Sequence, residues 1–107
     1  MKDVTDATFP TEVLQASATK PVLVDFWATW CPPCRMMAPI VEQVAAQYGD
    51  KITVVKIDSD ANPATGAAYG IQSIPTFNVY RNGQVVKSIV GARPKTDFIA
   101  ELGEYLA

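Results

Sequence analysis

Residues 22–34 read VLVDFWATWCPPC, and this stretch decides how the rest of the chain is interpreted. Val22–Ala28 is apolar at every position except Asp25, which is typical of a strand buried on both faces of a sheet. The only two cysteines of the chain, Cys31 and Cys34, follow it with two residues between them. The stretch therefore predicts a central strand that leads into a helix, with a reactive pair at the junction.

The sequence on either side of this junction predicts helices. Apolar residues recur at three- and four-residue steps after Cys34, at Met37, Ile40, Val41, Val44, Ala45 and Tyr48. Pro39 lies inside this pattern and predicts a kink, and Gly49 is expected to end the helix. Upstream, Thr8–Leu14 predicts a short first helix that places Phe9, Val13 and Leu14 on one side.

The middle of the chain predicts a second strand and a short helix. Ile52–Asp58 is rich in β-branched residues, as a strand requires. Asn62 is expected to cap the helix that follows, with Pro63 at its first position and Gly70 at its end. Strands that alternate with helices are expected to pair in parallel through crossovers.

The last third of the chain predicts a hairpin and a closing helix. Thr76–Arg81 and Gln84–Val90 flank Asn82-Gly83, the strongest short signal for a type I′ turn. After Pro94, a buried stripe is expected at Phe98, Ile99, Leu102 and Leu106. We therefore expect an α/β fold in which a mixed central sheet, parallel first and antiparallel last, has helices on both faces.

Composition narrows the class of protein. The chain has 107 residues, of which 49% are hydrophobic and 19% charged, so we expect one globular domain over residues 1–107. The net charge of −2 gives no reason to expect binding to nucleic acid or to an anionic membrane. No spanning segment or secretory signal is evident, which favours the cytoplasm.

The absence of histidine narrows the chemistry further. It excludes Ser-His and Cys-His hydrolytic arrangements and leaves no histidine to ligate a metal. Two cysteines cannot complete a zinc site within one chain, although a dimer that shares four thiolates could. We therefore expect no metal and no phosphate-binding loop, and the cysteine pair remains as the reactive feature.

The spacing of Cys31 and Cys34 suits redox chemistry. With Cys31 at the N-cap of the helix, Cys34 lies one turn along on the same side, within reach of a disulfide. The unpaired N–H groups and positive end of the helix favour a thiolate at Cys31. We expect Cys31 to be the exposed nucleophile and Cys34, nearer the core, to be the resolving thiol. Two unreactive core cysteines are the alternative interpretation.

Asp25 is the unusual residue of the central strand. Burial disfavours its charged form, so its pKa is expected to rise, and it could accept the proton of Cys34. The alternative is an aspartate that reaches solvent at the end of the strand. Lys56, in the middle of the second strand, is by itself typical of a surface lysine.

Several segments resemble the thioredoxin family along nearly the whole chain. Trp30-Cys31-Pro32-Pro33-Cys34 resembles the family's W-C-G-P-C, and residues 24–27, Pro39, residues 74–76 and residues 90–92 match in the same order. The resemblance implies the thioredoxin fold and a dithiol donor that reduces protein disulfides and needs no bound cofactor. It also implies re-reduction by a flavin- and NADPH-dependent thioredoxin reductase. We expect a monomer.

The resemblance also implies roles for individual residues. It favours Asp25 as the proton acceptor, with Lys56 as a possible support. It implies a cis bond before Pro75 and a substrate groove whose members are Trp30, Pro32, Pro33, Ile74, Pro75, Gly91 and Ala92. A free backbone edge at Ile74 would pair with an extended substrate segment. Arg35 is either a solvated helix residue or a charge beside the thiolate.

Pro32 departs from the family pattern, which has glycine at this position. Proline removes an N–H donor that could face the thiolate, and it also restricts the turn. The lost donor would make the couple more reducing, whereas the restricted turn would make it more oxidising, and we expect a more oxidising protein. Two other functions remain open at this point: a disulfide oxidant or isomerase, and a binding module that grips partners without turnover.

Overall fold

The central strand β2, Val22–Trp27, is the element around which the sheet is built. In the computed structural model, which describes residues 1–107, β2 lies between β3, Thr53–Asp58, and β4, Thr76–Arg81. It pairs in parallel with β3 and antiparallel with β4. All of its residues are buried except the partly buried Trp27, because both faces of the strand are covered.

Two edge strands complete the sheet. β1, Lys2–Asp3, pairs in parallel with β3, and β5, Gln84–Val90, pairs antiparallel with β4. The order is β1-β3-β2-β4-β5, so the mixed sheet expected from the sequence is confirmed. β1 was not predicted, because two exposed residues are too short to show a two-residue period.

Helices cover the two faces of the sheet. Helix α1, Pro32–Tyr48, and helix α3, Lys95–Leu102, pack on the face that carries Leu23 and Phe77. A 3₁₀ turn, Gly103–Leu106, continues α3. The N-terminal helical segment and the residues that follow helix α2, Pro63–Ala68, cover the opposite face. None of these helices combines the length and the apolarity that a membrane crossing requires.

The hairpin between β4 and β5 has the turn that its sequence predicts. Asn82 has a φ of 54° and Gly83 a φ of 76°, as a type I′ turn requires at both central positions. The register shifts by one residue between Val79 and Tyr80, which marks a bulge in the ladder.

The first helical segment differs from the expected helix over residues 8–14. Pro10–Gln15 has the wide turns of a π-helix, and a 3₁₀ turn over Ala16–Ala18 follows it. Phe9 and Val13 are nevertheless buried against the sheet, as their spacing predicts. The apolar side of this segment therefore packs against the sheet as expected, although the backbone hydrogen bonds are not those of a regular α-helix.

Asn62 does not cap helix α2, which corrects the expectation from the sequence. Its side chain makes no capping hydrogen bond and instead accepts from the N–H of Asp6 and donates to the carbonyl of Asp58. The cap comes from Asp6, whose carboxylate accepts from the N–H groups of Ala64 and Thr65 and from the Thr65 hydroxyl. These hydrogen bonds lower the pKa of Asp6, while desolvation opposes them.

Gly49 ends helix α1, although not through the left-handed geometry that usually favours glycine there. Its φ is −62°, and a Cβ atom at this position would lie 2.8 Å from the carbonyl oxygen of Ala45. Only glycine, which has no Cβ atom, therefore lets the chain lie this close to the backbone of the preceding turn.

We expect Gly49→Ala to destabilise the protein by about 1–3 kcal/mol, because its Cβ meets a backbone atom that cannot move away cheaply. The measurement is the free energy of unfolding in urea. The matched control is Gly66→Ala inside α2, where the new Cβ would lie 3.9 Å from its nearest neighbour. Since alanine also favours a helix over glycine, equal destabilisation by both variants would contradict the explanation.

Candidate active site

Cys31 and Cys34 form a disulfide at the start of helix α1. Cys31 is the N-cap residue, with a φ of −95° and a ψ of 104°, and the Cα atoms of the pair are 5.3 Å apart. The N–H of Cys34 donates to Sγ of Cys31 over 3.2 Å. The expected N-cap placement is therefore confirmed, and the sulfur of Cys31 already accepts a helix N–H that would stabilise a thiolate.

The expectation that Cys31 is exposed is wrong for this disulfide state. Cys31 is only 2% exposed and Cys34 is 6% exposed. The two residues form a small cluster with Ala28, against which Trp27 and Ile74 pack. The sequence could not show this, because Ile74 reaches the cysteines only through the fold of the sheet.

Asp25 lies on β2 and has a cross-strand partner on each of the two neighbouring strands. It is paired with Lys56 on β3 and with Phe77 on β4, and it is 5% exposed. Its Oδ1 atom is buried without a hydrogen-bond partner. Burial raises the pKa of Asp25 to about 7, although the positive charge of Lys56 pulls it downward. The carboxyl group can therefore gain or lose a proton near neutral pH.

A cavity of about 280 Å³ brings Asp25 and Cys34 together with Lys56. The other residues that line this cavity are Met1, Trp27, Ala28, Thr29, Arg35, Ala38 and Glu42. Sequence reasoning missed Glu42, which stands two turns after Cys34 on the same helix. The cavity gives the carboxyl group of Asp25 a path toward Cys34 through space that a water molecule can occupy.

Lys56 lies beside the buried carboxyl, as the resemblance implied. Its ammonium is 3.8 Å from a carboxylate oxygen of Asp3 and 5.3 Å from the centre of the Trp27 ring. Two-thirds of the side chain is shielded from solvent. The lysine therefore acts on Asp25 as a partly buried charge, held between an acidic and an aromatic neighbour.

The cis bond that the resemblance implied is present between Ile74 and Pro75. The carbonyl of Pro75 accepts the N–H of Gly91 over 2.8 Å, so the turn after β5 is fastened to this loop. Gly91 has a φ of 91°, a conformation that side chains rarely tolerate. Ile74, Pro75 and Gly91 therefore meet at one end of the sheet, next to the disulfide.

Trp30 is 64% exposed, and it lines one cleft together with Ile74 of this loop. Its Nε1 donates to Oδ2 of Asp60 over 2.6 Å. Asp60 was not singled out from the sequence, although it lies in the loop that follows the carboxyl end of β3, the same edge of the sheet as Cys31. The hydrogen bond fixes one orientation of an otherwise exposed indole.

The remaining sequence-predicted residues lie around the helix start. Pro32 and Pro33 are exposed at the first two positions of α1, where neither offers an N–H group. Arg35 donates to the carbonyl of Thr29 over 2.9 Å and so joins the helix to the loop before Trp30. Ala92 lines a separate cleft with Met36, Met37 and Ile40, so it does not share one cavity with Trp30.

We expect the stability of the disulfide form to fall as pH rises from roughly 4 to 7. The pKa of Asp25 is raised from 3.8 to about 7, so the folded state binds a proton that the unfolded state has lost across this interval. The total loss is on the order of 4 kcal/mol. The measurement is urea unfolding as a function of pH.

Asp25→Asn is the matched variant for this prediction, because the amide imitates the protonated carboxyl at every pH. We expect it to match the parent near pH 4 and to be more stable at pH 8. Asp6 and Glu12, whose pKa values are lowered, change stability in the opposite sense at lower pH and are common to both proteins. Parallel pH profiles in the two proteins would contradict the prediction.

Comparison with known proteins agrees with this geometry. The thioredoxin family model matches residues 1–104. The chain is 53% identical over 103 residues to thioredoxin 1 of Synechococcus elongatus, covering 96% of this chain and 94% of that protein. It is also 57% identical over 95 residues to a thioredoxin of Streptomyces clavuligerus, covering 89% of this chain and 86% of the relative. A CxxC disulfide at the start of a helix, a cis-proline loop beside it and these matches together show that the chain belongs to the thioredoxin family of thiol-disulfide oxidoreductases, with Cys31 and Cys34 as its redox pair.

Proposed function

We propose that this protein reduces the disulfides of other proteins with Cys31 as the attacking thiolate and Cys34 as the resolving thiol. The observation that carries this proposal is the N–H of Cys34, which donates to Sγ of Cys31 at the N-cap of α1. A hydrogen bond and a helix terminus both favour the charged form of that sulfur and not of its partner. Cys31 is therefore the thiol that is ionised first.

The reaction proceeds by two exchanges in which sulfur displaces sulfur. The thiolate of Cys31 attacks one sulfur of the substrate disulfide, forms a mixed disulfide and releases the first substrate thiolate. Cys34 then loses its proton, attacks Sγ of Cys31 and releases the second substrate thiolate. Two electrons pass from the dithiol to the substrate, and the protein is left with the Cys31–Cys34 disulfide.

Asp25 is the proposed acceptor of the Cys34 proton. It lines the same cavity as Cys34, and its pKa of about 7 is close to the operating pH that an acid-base group needs. Lys56 is proposed to support it, because a positive charge in register with Asp25 lowers the pKa of the carboxyl against the rise that burial causes. Both roles depend on burial, which makes the charges act strongly on one another.

The proposed substrate groove surrounds the disulfide. Trp30, Pro32 and Pro33 would form one side, Ile74 and Pro75 the second, and Gly91 and Ala92 the third. The indole held by Asp60 and the loop fastened to Gly91 support this assignment, because both offer a fixed surface to an extended chain. Since Cys31 is buried in the disulfide state, we propose that the groove is used chiefly by the reduced protein.

We propose that the protein is a W-C-P-P-C variant of its family, acts as a monomer without a bound cofactor, and takes electrons from a flavin- and NADPH-dependent thioredoxin reductase. The curated relatives carry the name thioredoxin, which supports this pairing. We expect it to work in the cytoplasm, where a reductase of this kind keeps dithiols reduced.

We expect Cys34→Ser to trap substrates and Cys31→Ser to trap none. Without Cys34 the mixed disulfide at Cys31 has no internal thiol to resolve it, so one substrate chain remains attached. The measurement is mass spectrometry after incubation with oxidised insulin, together with insulin reduction in the presence of dithiothreitol. The parent should turn over, whereas both variants should fall to the rate of dithiothreitol alone. Trapping by Cys31→Ser would reverse the assigned roles.

We also expect the couple to be more oxidising than thioredoxins with glycine at position 32, whose potential is near −270 mV. Two successive prolines limit how far the turn can adjust between the two redox states. The measurement is equilibration with glutathione, and Pro32→Gly is the matched control, expected to lower the potential. A value at or below −270 mV for the parent would contradict this prediction.

A further inference from the structure

Residues 90–93 form the turn that follows β5, and we call them the Gly91 turn. Gly91 and Ala92 of this turn are the third side of the proposed substrate groove. A loop that contains glycine has many conformations open to it unless other groups hold it. Hydrogen bonds hold the Gly91 turn, and all but one of those to its backbone come from Arg93 or involve its own N–H.

The peptide group between Val90 and Gly91 is hydrogen-bonded at both ends. Its N–H, on Gly91, donates to the carbonyl of Pro75 over 2.8 Å. Its carbonyl, on Val90, accepts from Nη1 of Arg93 over 2.8 Å. Because the N–H and the carbonyl of a trans peptide point in opposite directions, this group cannot rotate without breaking one of the two bonds. The orientation of Gly91 therefore depends on the side chain of Arg93.

The guanidinium of Arg93 is itself held in place. Its Nε atom donates to Oε2 of Glu101 on α3 over 2.9 Å, and Nη1 also donates to the carbonyl of Ala92 over 3.4 Å. Nη1 would lie 3.6 Å from a Cβ atom at Gly91, so the group packs against this glycine. Because a guanidinium is planar, these contacts fix its direction as well as its position. Arg93 therefore connects the Gly91 turn to α3.

The backbone of Arg93 connects the same turn to α1. Its N–H donates to Sδ of Met37 over 3.3 Å, and Met37 is buried on the helix that carries Cys34. A thioether is a weak acceptor, so this contact contributes less than the bonds of the guanidinium. The turn is nevertheless linked to the helix of the redox pair by a bond that a change of the Arg93 side chain leaves in place.

The positive charge of Arg93 is compensated where it lies. Glu101 forms an ion pair with it over 2.9 Å, and about a third of each side chain is exposed. Two opposite charges this close together exert little attraction on a charged substrate at a distance. The hydrogen bonds of the guanidinium run to the turn and to Glu101, which favours a positioning role over direct attraction of substrate.

We propose that Arg93 is a positioning residue for the reduction of protein disulfides and holds the Gly91 turn in the conformation that receives the substrate chain. A substrate that binds an ordered turn does not lose free energy to the ordering of that turn. Without the Arg93 side chain, glycine at position 91 would allow several conformations, and binding would have to select one of them. The inference rests on the proposed reduction of protein disulfides and adds a residue outside the groove.

The test compares two substrates with the same leaving group. One is a peptide of alanine and serine whose central cysteine forms a mixed disulfide with 2-nitro-5-thiobenzoate, and the other is end-blocked cysteine with the same disulfide. The thiolate of Cys31 bonds to the cysteine sulfur and releases the coloured thiolate, which leaves with the electron pair of the broken S–S bond. The measurement is kcat/KM for this release by the reduced protein. The ratio of peptide to blocked cysteine reports the use of the groove.

We expect Arg93→Leu to lower this ratio by about three- to tenfold, as the loss of one net hydrogen bond predicts. The rate with blocked cysteine and the redox potential should remain those of the parent, because Cys31 and its helix are unchanged. Arg81→Leu is the matched control, since Nη1 of Arg81 donates to the carbonyl of Ser17 over 2.8 Å at the end of β4 remote from Pro75. It loses a similar bond and should keep the ratio of the parent.

Glu101 provides a second test that leaves Arg93 in the protein. Glu101→Leu removes the acceptor of Nε and should lower the ratio by a smaller factor than Arg93→Leu does. Glu101→Gln retains an oxygen acceptor and should stay close to the parent. Because Glu101 acts through Arg93, adding Glu101→Leu to Arg93→Leu should lower the ratio no further.

The outcomes separate this inference from the function on which it rests. A ratio that Arg93→Leu leaves unchanged, or that Arg81→Leu lowers equally, overturns the positioning role and leaves the reductase intact. A fall confined to peptides in which glutamate replaces an alanine means that Arg93 attracts the substrate directly, and it also overturns the role. If the parent does not prefer the peptide to blocked cysteine, the groove and this inference fall together. If it releases the coloured thiolate from neither substrate, the reductase falls as well.

Discussion

The structure depends on the pairing of β2 with two neighbours at once. Strand β2 is parallel to β3 and antiparallel to β4, and both of its faces are covered. Because side chains alternate along a strand, a slip of one residue would move Asp25 from the face of α1 to the opposite face. Two ladders and two packed faces exclude that slip. The same constraint therefore builds the core and places a carboxyl group on the side of the cysteines.

The position of Asp25 is unfavourable for its charged form and suits the proton transfer that we propose for it. Burial raises its pKa to about 7, and Lys56, in register on β3, limits the rise. A carboxyl group on the surface would be ionised throughout the physiological range and would be a poor proton acceptor for a thiol. The protein therefore carries a local cost in stability at the residue that we propose as the proton acceptor.

Much of the fold and the reactive pair was predictable because their signals are local. The β-branched strands, the apolar stripe of α1 and the Asn82-Gly83 turn can each be recognised from residues that are close together in the sequence. The remaining features join distant parts of the chain. Asp6 caps α2 across 59 residues, and Asp60 holds Trp30 across 30 residues. No period reveals such pairs, because the order of strands in the sheet decides which loops meet.

The sequence by itself determined the elements, the redox pair at a strand-to-helix junction and the anomalous carboxyl of β2. These follow from residue types and spacings that any chain with this pattern would share. Only the tertiary structure decided that Cys31 is covered in the disulfide, that Cys34 and Asp25 line one cavity, and that the buried oxygen of Asn78 has no hydrogen-bond partner. The burial of a side chain and its hydrogen-bond partners depend on which elements pack against each other. The sequence pattern shows which face of an element is buried, but it does not show which other element covers that face.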